Sequence, residues 1–110
     1  MIIEADHGEK KVFEHFKDGE GSLDAVMFFD GVNRILRGTL KPGSSIGYHK
    51  HEGNSEIIYV LSGKGKFLMD DGVEYIEAGQ CHYCPEGHSH SFINEGPEDV
   101  EFFAVVPQRG

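Results

Sequence analysis

The sequence lacks the features that mark membrane and exported proteins. It contains no tryptophan, only two cysteines and no apolar run approaching ~20 residues, the length that a helix needs to cross a bilayer. Its first residues, MIIEADHGEKK, include no cationic segment followed by an apolar one, so no signal peptide is predicted. With so few cysteines and no export signal, we expect a cytoplasmic protein whose thiols are reduced.

Positive charge is scarce as well. The chain has 10 Lys and Arg against 19 Asp and Glu, which gives a formal net charge of -9. Such a surface repels phosphate backbones and anionic lipid headgroups, so neither nucleic acid nor a membrane is an expected partner. The charge favours solubility and indicates no particular fold.

Helical periodicity is absent, and short β segments take its place. From Leu23 onward, runs of β-branched and aromatic residues are bounded by Gly, Pro or Asp. Asp71-Gly72 predicts a hairpin between residues 66–69 and 73–76. The 15 glycines, about twice the average share, suit many tight turns. Short strands separated by turns predict an all-β sandwich or barrel.

The chain length indicates one domain. At 110 residues, the chain is large enough for one hydrophobic core and too short for two. No internal repeat and no linker divides it. Residues 1–22 are polar and are expected to form an N-terminal arm, either a short strand or a turn of helix. Residues 23–110 are expected to form the barrel.

Three histidines and one glutamate form a pattern typical of metal ligands. His49 and His51 alternate along a predicted strand, so their imidazoles project from the same face. Glu56 precedes the apolar run 57–61, where an unpaired charge is costly and a cation shared with the imidazoles would remove that cost. His90 follows a turn and can bring a third imidazole back across the barrel.

This set of ligands indicates one divalent transition metal ion. Three neutral imidazoles and a carboxylate suit Mn, Fe, Co, Ni, Cu or Zn and do not suit Ca or Mg. Four protein ligands in octahedral coordination leave two positions for water, oxygen or substrate. Open positions distinguish a reactive site from a closed structural one.

Two segments of the sequence resemble the motifs of the cupin family. All ten fixed positions of the two patterns are present, and 15 residues, 64–78, separate them. The segment similar to the first motif is Gly43-(x)5-His49-x-His51-(x)4-Glu56-(x)6-Gly63. The segment similar to the second motif is Gly79-(x)5-Pro85-x-Gly87-(x)2-His90-(x)3-Asn94.

The resemblance implies a small antiparallel jelly-roll barrel, or double-stranded β-helix, of six to eight strands, with the metal near one mouth. The ligands implied by the motifs are His49, His51, Glu56 and His90. Proteins of this family are commonly homodimers, with sheets packed back to back or strands exchanged near the N-terminus. We therefore expect a homodimer in which the segment up to about Phe29 takes part.

The resemblance leaves three functions open. The first is a metal-dependent enzyme acting on a small polar metabolite, such as a sugar, keto-acid or dicarbonyl, as an isomerase, lyase or decarboxylase. The second is an O2-dependent dioxygenase, and the third is a non-catalytic small-molecule binding module. Glu56 argues against thiol dioxygenases, which typically lack this carboxylate. A one-barrel chain argues against oxalate decarboxylases, which usually have two barrels.

Three further residues are candidates for contact with a small-molecule ligand. Arg34 is the favoured inward arginine of its strand, where Gly38 would leave room beside the metal; an inward arginine would anchor a carboxylate or phosphate, and the alternative is a surface position. His88 shares a face with His90 and is either a proton carrier or a solvated loop residue. Phe92 is expected to point inward, as core or as pocket lining.

The two cysteines form a C-x-x-C sequence that has two interpretations. Elsewhere this spacing indicates redox chemistry or half of a zinc site. Here Cys81 and Cys84 fall in a predicted strand, where residues three apart point to opposite faces. We therefore expect ordinary surface and core cysteines.

Overall fold

The computed structural model describes residues 1–108, which form two antiparallel sheets around one core. The larger sheet has the order β1-β2-β3-β10-β5-β8 and the smaller sheet the order β4-β9-β6-β7. The first strands are β1 (Lys11–Glu14), β2 (Ser22–Phe29), β3 (Arg34–Leu40), β4 (Ser45–Lys50) and β5 (Glu56–Ser62). The others are β6 (Lys64–Met69), β7 (Gly72–Glu77), β8 (Cys81–Cys84), β9 (Ser89–Ile93) and β10 (Val100–Val106).

This architecture confirms the predicted all-β jelly-roll fold. The described residues form ten strands, more than the six to eight that the resemblance implied. One reason is that the arm contributes β1, which pairs antiparallel with β2 at the edge of the larger sheet. The arm also contains a single 3₁₀ turn at Phe16–Asp18, so it holds both of the elements that were considered for it. The division into arm and barrel stays a prediction.

The core follows from the alternation of buried and exposed side chains along the strands. In β10, the residues Val100, Phe102, Ala104 and Val106 are buried and those between them are partly exposed. Phenylalanine rings join the two sheets: Phe92 stacks on Phe67 of the smaller sheet at 4.2 Å and meets Phe102 of the larger sheet edge to face at 5.2 Å, between ring centroids. Each fully buried phenylalanine contributes about 1.5–3 kcal/mol of hydrophobic free energy.

The predicted hairpin is present, with its turn one residue earlier than the sequence suggested. Strands β6 and β7 pair from Met69 to Gly72, so the turn residues are Asp70 and Asp71. Asp70 has a φ of 50°, which aspartate tolerates better than most residues. The Asp70 carboxylate accepts a hydrogen bond from the backbone of Ser89 at 3.3 Å, and this contact supports the unusual backbone.

The arm packs backbone to backbone against β4. A Cβ atom at Gly47 would collide with the carbonyl oxygen of Lys17, so only glycine permits this approach. Within the arm, His15, Lys17 and Asp18 have φ values of 51°, 55° and 64°, a conformation that costs free energy outside glycine. The surrounding contacts must therefore hold the arm in place.

No helix within residues 1–108 is both long enough and apolar enough to cross a membrane. The cytoplasmic location expected from the sequence stays a prediction.

Candidate metal centre

Both sheets contribute to the candidate metal centre. His49 on β4 and His90 on β9 are direct register partners in the smaller sheet. His51 follows the end of β4, and its backbone N–H donates to the carbonyl oxygen of His88 at 3.0 Å. Glu56 opens β5 in the larger sheet. The structure thus brings the four predicted ligand residues together, and their ligand atoms all lie within 4.8 Å of one another.

The spacing of the ligand atoms suits one shared ion. Oε1 of Glu56 lies 3.2 Å from Nε2 of His51 and 2.9 Å from Nε2 of His90. The two Nε2 atoms lie 3.0 Å apart. Two ligand atoms at right angles and about 2.1 Å from one ion are about 3.0 Å apart. The observed distances therefore match neighbouring positions around a transition metal.

The three imidazole rings are arranged almost symmetrically. Ring centroids are 4.8 Å apart for His49 and His51, 4.8 Å for His49 and His90, and 4.9 Å for His51 and His90. The interplanar angles are 64°, 63° and 70°. No ring stacks on another within the group, so each can direct one nitrogen to the common centre.

The outer nitrogen of each imidazole has its own hydrogen-bond partner. Nδ1 of His49 donates to the carbonyl oxygen of Gly47 at 2.7 Å, and Nδ1 of His51 donates to Oδ1 of Asn54 at 2.6 Å. Nδ1 of His90 lies 3.0 Å from Nε2 of His82. Such partners fix the tautomer and the ring orientation of metal-binding histidines. With Nδ1 engaged outside, Nε2 of each ring faces the common centre, where its lone pair is available to a metal when the ring is neutral.

Local electrostatics keep the carboxylate of Glu56 ionised, which is the form that binds a cation. Burial acts to raise the pKa of Glu56, but hydrogen bonds from His51 and His90 outweigh burial and hold that pKa at about 2. Burial also acts to lower the pKa of His51, but its hydrogen bonds with Glu56 and Asn54 outweigh burial and leave that pKa above 6.5. Burial lowers the pKa of His49. At neutral pH, Glu56 is therefore anionic and His49 is a neutral donor.

A small cavity opens beside these residues. Its volume is about 90 Å³, and His49, His51 and Glu56 form part of its wall. Three cationic side chains, Arg34, Lys17 and Lys50, also line it. Apolar walls are formed by Phe16, Leu36, Ile46 and Phe102, among others. A metal site flanked by positive charge and apolar surface is suited to a small anionic ligand.

Arg34 lies in this cavity with an unusual environment. Its Nε atom is buried and has no hydrogen-bond partner among the described residues, while its guanidinium carbon lies 4.6 Å from the centre of the Phe29 ring. A buried donor without a partner costs about 1–3 kcal/mol, so an anion beside Arg34 would relieve that cost. The room expected at Gly38 is filled by the ring of Phe102, which a side chain there would displace.

The other two residues predicted to contact a small-molecule ligand, His88 and Phe92, lie outside the cavity. His88 is half exposed, and its Nδ1 is 2.6 Å from Oδ2 of Asp70. Strict alternation fails at His88 because β9 begins only at Ser89, so His88 belongs to the preceding turn. Phe92 points inward as predicted, but it is buried against Phe67 and Phe102 rather than in the cavity wall.

The two cysteines occupy opposite faces of β8. Cys81 is exposed and Cys84 is buried. Burial raises the pKa of Cys84 to about 11, so this thiol stays protonated at neutral pH and is a poor nucleophile or metal ligand. These positions fit the expectation of ordinary surface and core cysteines.

Comparison with known proteins identifies the family. A model of the cupin domain matches residues 36–106, and the chain belongs to the cupin family. An oxalate-binding protein from Thermotoga maritima is 49% identical over 113 residues, which cover 96% of this chain and 93% of that protein. A germin-like protein from Morus alba is 34% identical over 86 residues, which cover 70% of this chain but only 41% of that protein.

Solved structures agree with this assignment. A predicted oxalate decarboxylase from Thermotoga maritima superposes with a TM-score of 0.90 at 32% identity, covering 98% of this chain and 99% of that chain. A Cupin 2 conserved barrel domain protein from Salinispora arenicola superposes with a TM-score of 0.73 at 22% identity, covering 98% and 88%, and supports the fold alone. The first alignment spans 99% of that chain, so that protein is also a single barrel.

Proposed function

We propose that this protein binds small dicarboxylates of the oxalate type at a divalent transition metal ion held by His49, His51, Glu56 and His90. The observation that carries the proposal is the placement of charge. In a chain with a net charge of -9, three of the 10 Lys and Arg side chains line the cavity that adjoins the metal ligands. A likeness to an oxalate-binding protein over almost the whole chain supports the same ligand class.

The metal and the chain have separate tasks in this proposal. A divalent transition metal bound by imidazoles and a carboxylate supplies a Lewis-acid centre that accepts ligand oxygens. Mn, Fe, Co, Ni, Cu and Zn fit this donor set, whereas Ca and Mg prefer oxygen ligands. The chain holds the donors in place, neutralises the remaining ligand charge and excludes water with apolar walls.

Arg34 is the proposed anchor for the carboxylate. Its guanidinium carries parallel N–H donors that match the two oxygens of a carboxylate. The Phe29 ring, 4.6 Å from the guanidinium carbon, limits the rotation of that plane. Lys17 and Lys50 add positive charge at the cavity wall without a fixed hydrogen-bond geometry. The proposal leaves out His88 and Phe92, because neither lines the cavity.

The size of the cavity limits which polar metabolites could bind there as the ligand. Its volume of about 90 Å³ lies well below the roughly 300–1,000 Å³ of sites for larger ligands. A sugar nucleotide needs far more room, while a ligand of a few heavy atoms fits. Dicarbonyl and dicarboxylate ligands are therefore better supported than sugars.

Decarboxylation of the bound ligand is a second candidate function. It is favoured by Lys17 and Lys50, which line the cavity, carry ammonium protons and are not metal ligands; the Lys50 ammonium lies 3.7 Å from Oε1 of Glu52. The balanced step converts oxalate and one proton to formate and carbon dioxide, with cleavage of the C–C bond and protonation of the carbon that remains. This step needs neither an external oxidant nor a reductant.

One titration series tests both candidates. Oxalate is titrated calorimetrically into protein loaded with Mn(II) and into protein treated with a chelator, with acetate and succinate as comparison ligands. We expect tight binding of oxalate only in the loaded protein and weaker binding of both comparison ligands. Equal oxalate affinity without metal would contradict the proposal. Formate formation detects decarboxylation, and oxygen uptake would instead favour a dioxygenase.

We also propose that the protein is a homodimer that packs through the outer face of the larger sheet. One continuous apolar row crosses five of its strands, because consecutive register pairs join Phe28, Ile35, Val105, Ile57 and Tyr83. Ile57 and Tyr83 are exposed. Contiguous apolar surface of this kind is typical of protein interfaces.

Light scattering tests the dimer. We expect twice the chain mass for the wild type at micromolar concentration and a monomer for Ile57→Lys, which places a charge in the middle of the apolar row. Tyr75→Lys, at an exposed aromatic residue of the smaller sheet, is the matched control and should stay dimeric. A monomeric wild type would contradict this proposal.

A further inference from the structure

One histidine that is not a candidate metal ligand contacts a histidine that is. His82 projects from β8 of the larger sheet into the core, where its ring stacks on Phe67 with 3.6 Å between centroids and an interplanar angle of 8°. Its side chain is 1% exposed. A buried imidazole needs partners for both of its nitrogens, and those partners are His90 and Glu74.

Each imidazole in this series of hydrogen bonds donates outward, from the metal centre towards the surface. Nδ1 of His82 lies 2.9 Å from Oε1 of Glu74, which only accepts when ionised, so His82 donates through Nδ1. Nε2 of a neutral His82 then accepts, and its partner at 3.0 Å is Nδ1 of His90. His90 therefore donates through Nδ1 and keeps its Nε2 lone pair for the centre. The side chain of Glu74 is 54% exposed, so this series of hydrogen bonds ends in solvent.

We propose that His82 and Glu74 are positioning residues of the metal centre, which hold His90 in the tautomer and orientation that binds the ion. The inference rests on the metal site of the proposed function but not on the identity of the bound ligand. The other two ligand histidines donate to neutral oxygens, of Gly47 and Asn54. Among the described ligand histidines, His90 is thus the one whose hydrogen-bond partner is itself hydrogen-bonded to a carboxylate. Such a partner makes the imidazole a stronger electron donor to the metal.

The alternative is a purely structural role for the pair. In that case, Glu74 would only satisfy the buried His82, and His82 would only fill the space beside Phe67. A structural role predicts lower stability in variants with unchanged metal affinity in the folded protein. A positioning role predicts lower metal affinity even where the stability of the metal-free protein is unchanged.

The test is the affinity for Zn(II) and Co(II), measured by competition with a chelator. His82→Phe retains an aromatic ring beside Phe67 but accepts no hydrogen bond, and we expect roughly a 10- to 100-fold loss of affinity. His82→Gln offers an amide oxygen to Nδ1 of His90 and should recover part of that loss. Glu74→Ala should weaken binding in the same direction, whereas Glu77→Ala, an exposed carboxylate on the same strand, should not.

A spectroscopic measurement separates the two roles. In the Zn(II)-loaded wild type, the Nδ1 proton of His90 should exchange slowly with water, because it is buried and donated to His82. In His82→Phe it should exchange faster. Wild-type affinity in both His82→Phe and Glu74→Ala, with slow exchange retained, would overturn the inference. If His82→Phe fails to fold, Glu74→Ala decides alone, because Glu74 is half exposed. A wild type that binds no metal would instead defeat the proposed function itself.

Discussion

Asn54 fixes the orientation of His51. Its side-chain oxygen accepts a hydrogen bond of 2.6 Å from Nδ1 of His51, and the opposite nitrogen of the same ring faces Oε1 of Glu56 at 3.2 Å. Because one side of the imidazole is engaged by a neutral acceptor, only Nε2 is available at the centre. The loop between β4 and β5 thus contributes one ligand and the residue that orients it.

Replacing Asn54 should therefore weaken metal binding without unfolding the barrel. Asn54→Leu removes the acceptor, and we expect about a 10-fold lower affinity for Co(II) or Mn(II), at the lower end of the range for partners of metal ligands. Asn54→Asp retains an acceptor and is the matched control. Chelator competition provides the affinities. Equal losses in the two variants would show that the hydrogen bond is not the cause.

The pKa values of the histidines should separate in the metal-free protein. Hydrogen bonds with Glu56 and Asn54 outweigh burial at His51 and raise its pKa above 6.5, while burial lowers the pKa values of His49 and His82 below 6.5. An NMR titration of the imidazole signals measures this order. Glu56→Gln should lower the pKa of His51. A His51 that titrates below His49 would contradict the electrostatic description of the site.

The same order predicts how metal binding depends on pH. A protonated His51 has no lone pair at Nε2, so metal affinity should fall as the pH is lowered through its raised pKa, beginning above pH 6.5. In the metal-free fold, the sign is opposite: the stabilisation from His51 is fully present below pH 6.5 and is lost as the pH rises through that raised pKa. Calorimetry in two buffers of different ionisation enthalpy should detect more proton release on metal binding at pH 6.5 than at pH 8.

The fold and the four candidate ligands could be predicted because the sequence carries local signals for them. Alternation predicts a common face for His49 in β4 and for His51, which directly follows that strand, and Glu56 opens the apolar strand β5. The later histidine, His90, lies in a motif of fixed spacing. The hairpin of β6 and β7 was also predicted, apart from a shift of one residue in its turn.

The residues that support the ligands had no comparable signal. His82 meets His90 across the barrel interior, since β8 belongs to the larger sheet and β9 to the smaller one. His82 falls at a variable position of the second motif, so the motif spacing does not encode this contact. Lys17 reaches the cavity through a backbone with φ of 55°, which residue propensities disfavour.

The alternation of side chains along a strand did not predict the position of His88. His88 was expected beside His90, but the two-residue rule applies only within a strand, and the backbone at Gly87 has φ of 88°. The turn that precedes β9 therefore directs His88 toward Asp70 at the surface.

Arg34 should contribute to ligand affinity and Arg37 should not. The two arginines lie on opposite faces of β3; Arg34 lines the cavity, whereas Arg37 bonds to Asp6 and Glu101 outside it. We expect Arg34→Met to weaken oxalate binding by about 1.5–3 kcal/mol, the range for a hydrogen bond to a charged group. This corresponds to roughly a 10- to 150-fold change in Kd. Arg37→Met is the matched control.

Calorimetry on the metal-loaded variants distinguishes the outcomes. An unchanged oxalate affinity in Arg34→Met, with metal content intact, would remove Arg34 from the site. Neutral oxygen ligands would then be the better candidates. A similar loss in both variants would indicate a general effect of net charge rather than an anchor.

Binding of one metal ion by His49, His51, Glu56 and His90 can be measured as the metal stoichiometry of the protein. Wild type, His51→Ala and His88→Ala are saturated with Co(II), desalted and analysed for metal, with circular dichroism to verify the fold. We predict one ion per chain in the wild type and in His88→Ala, and far less in His51→Ala with its β structure intact, because the hydrophobic core is built from apolar residues of both sheets and includes none of the ligands. One tightly bound ion per chain in His51→Ala, or none in the wild type, would show that these four residues do not form the metal site.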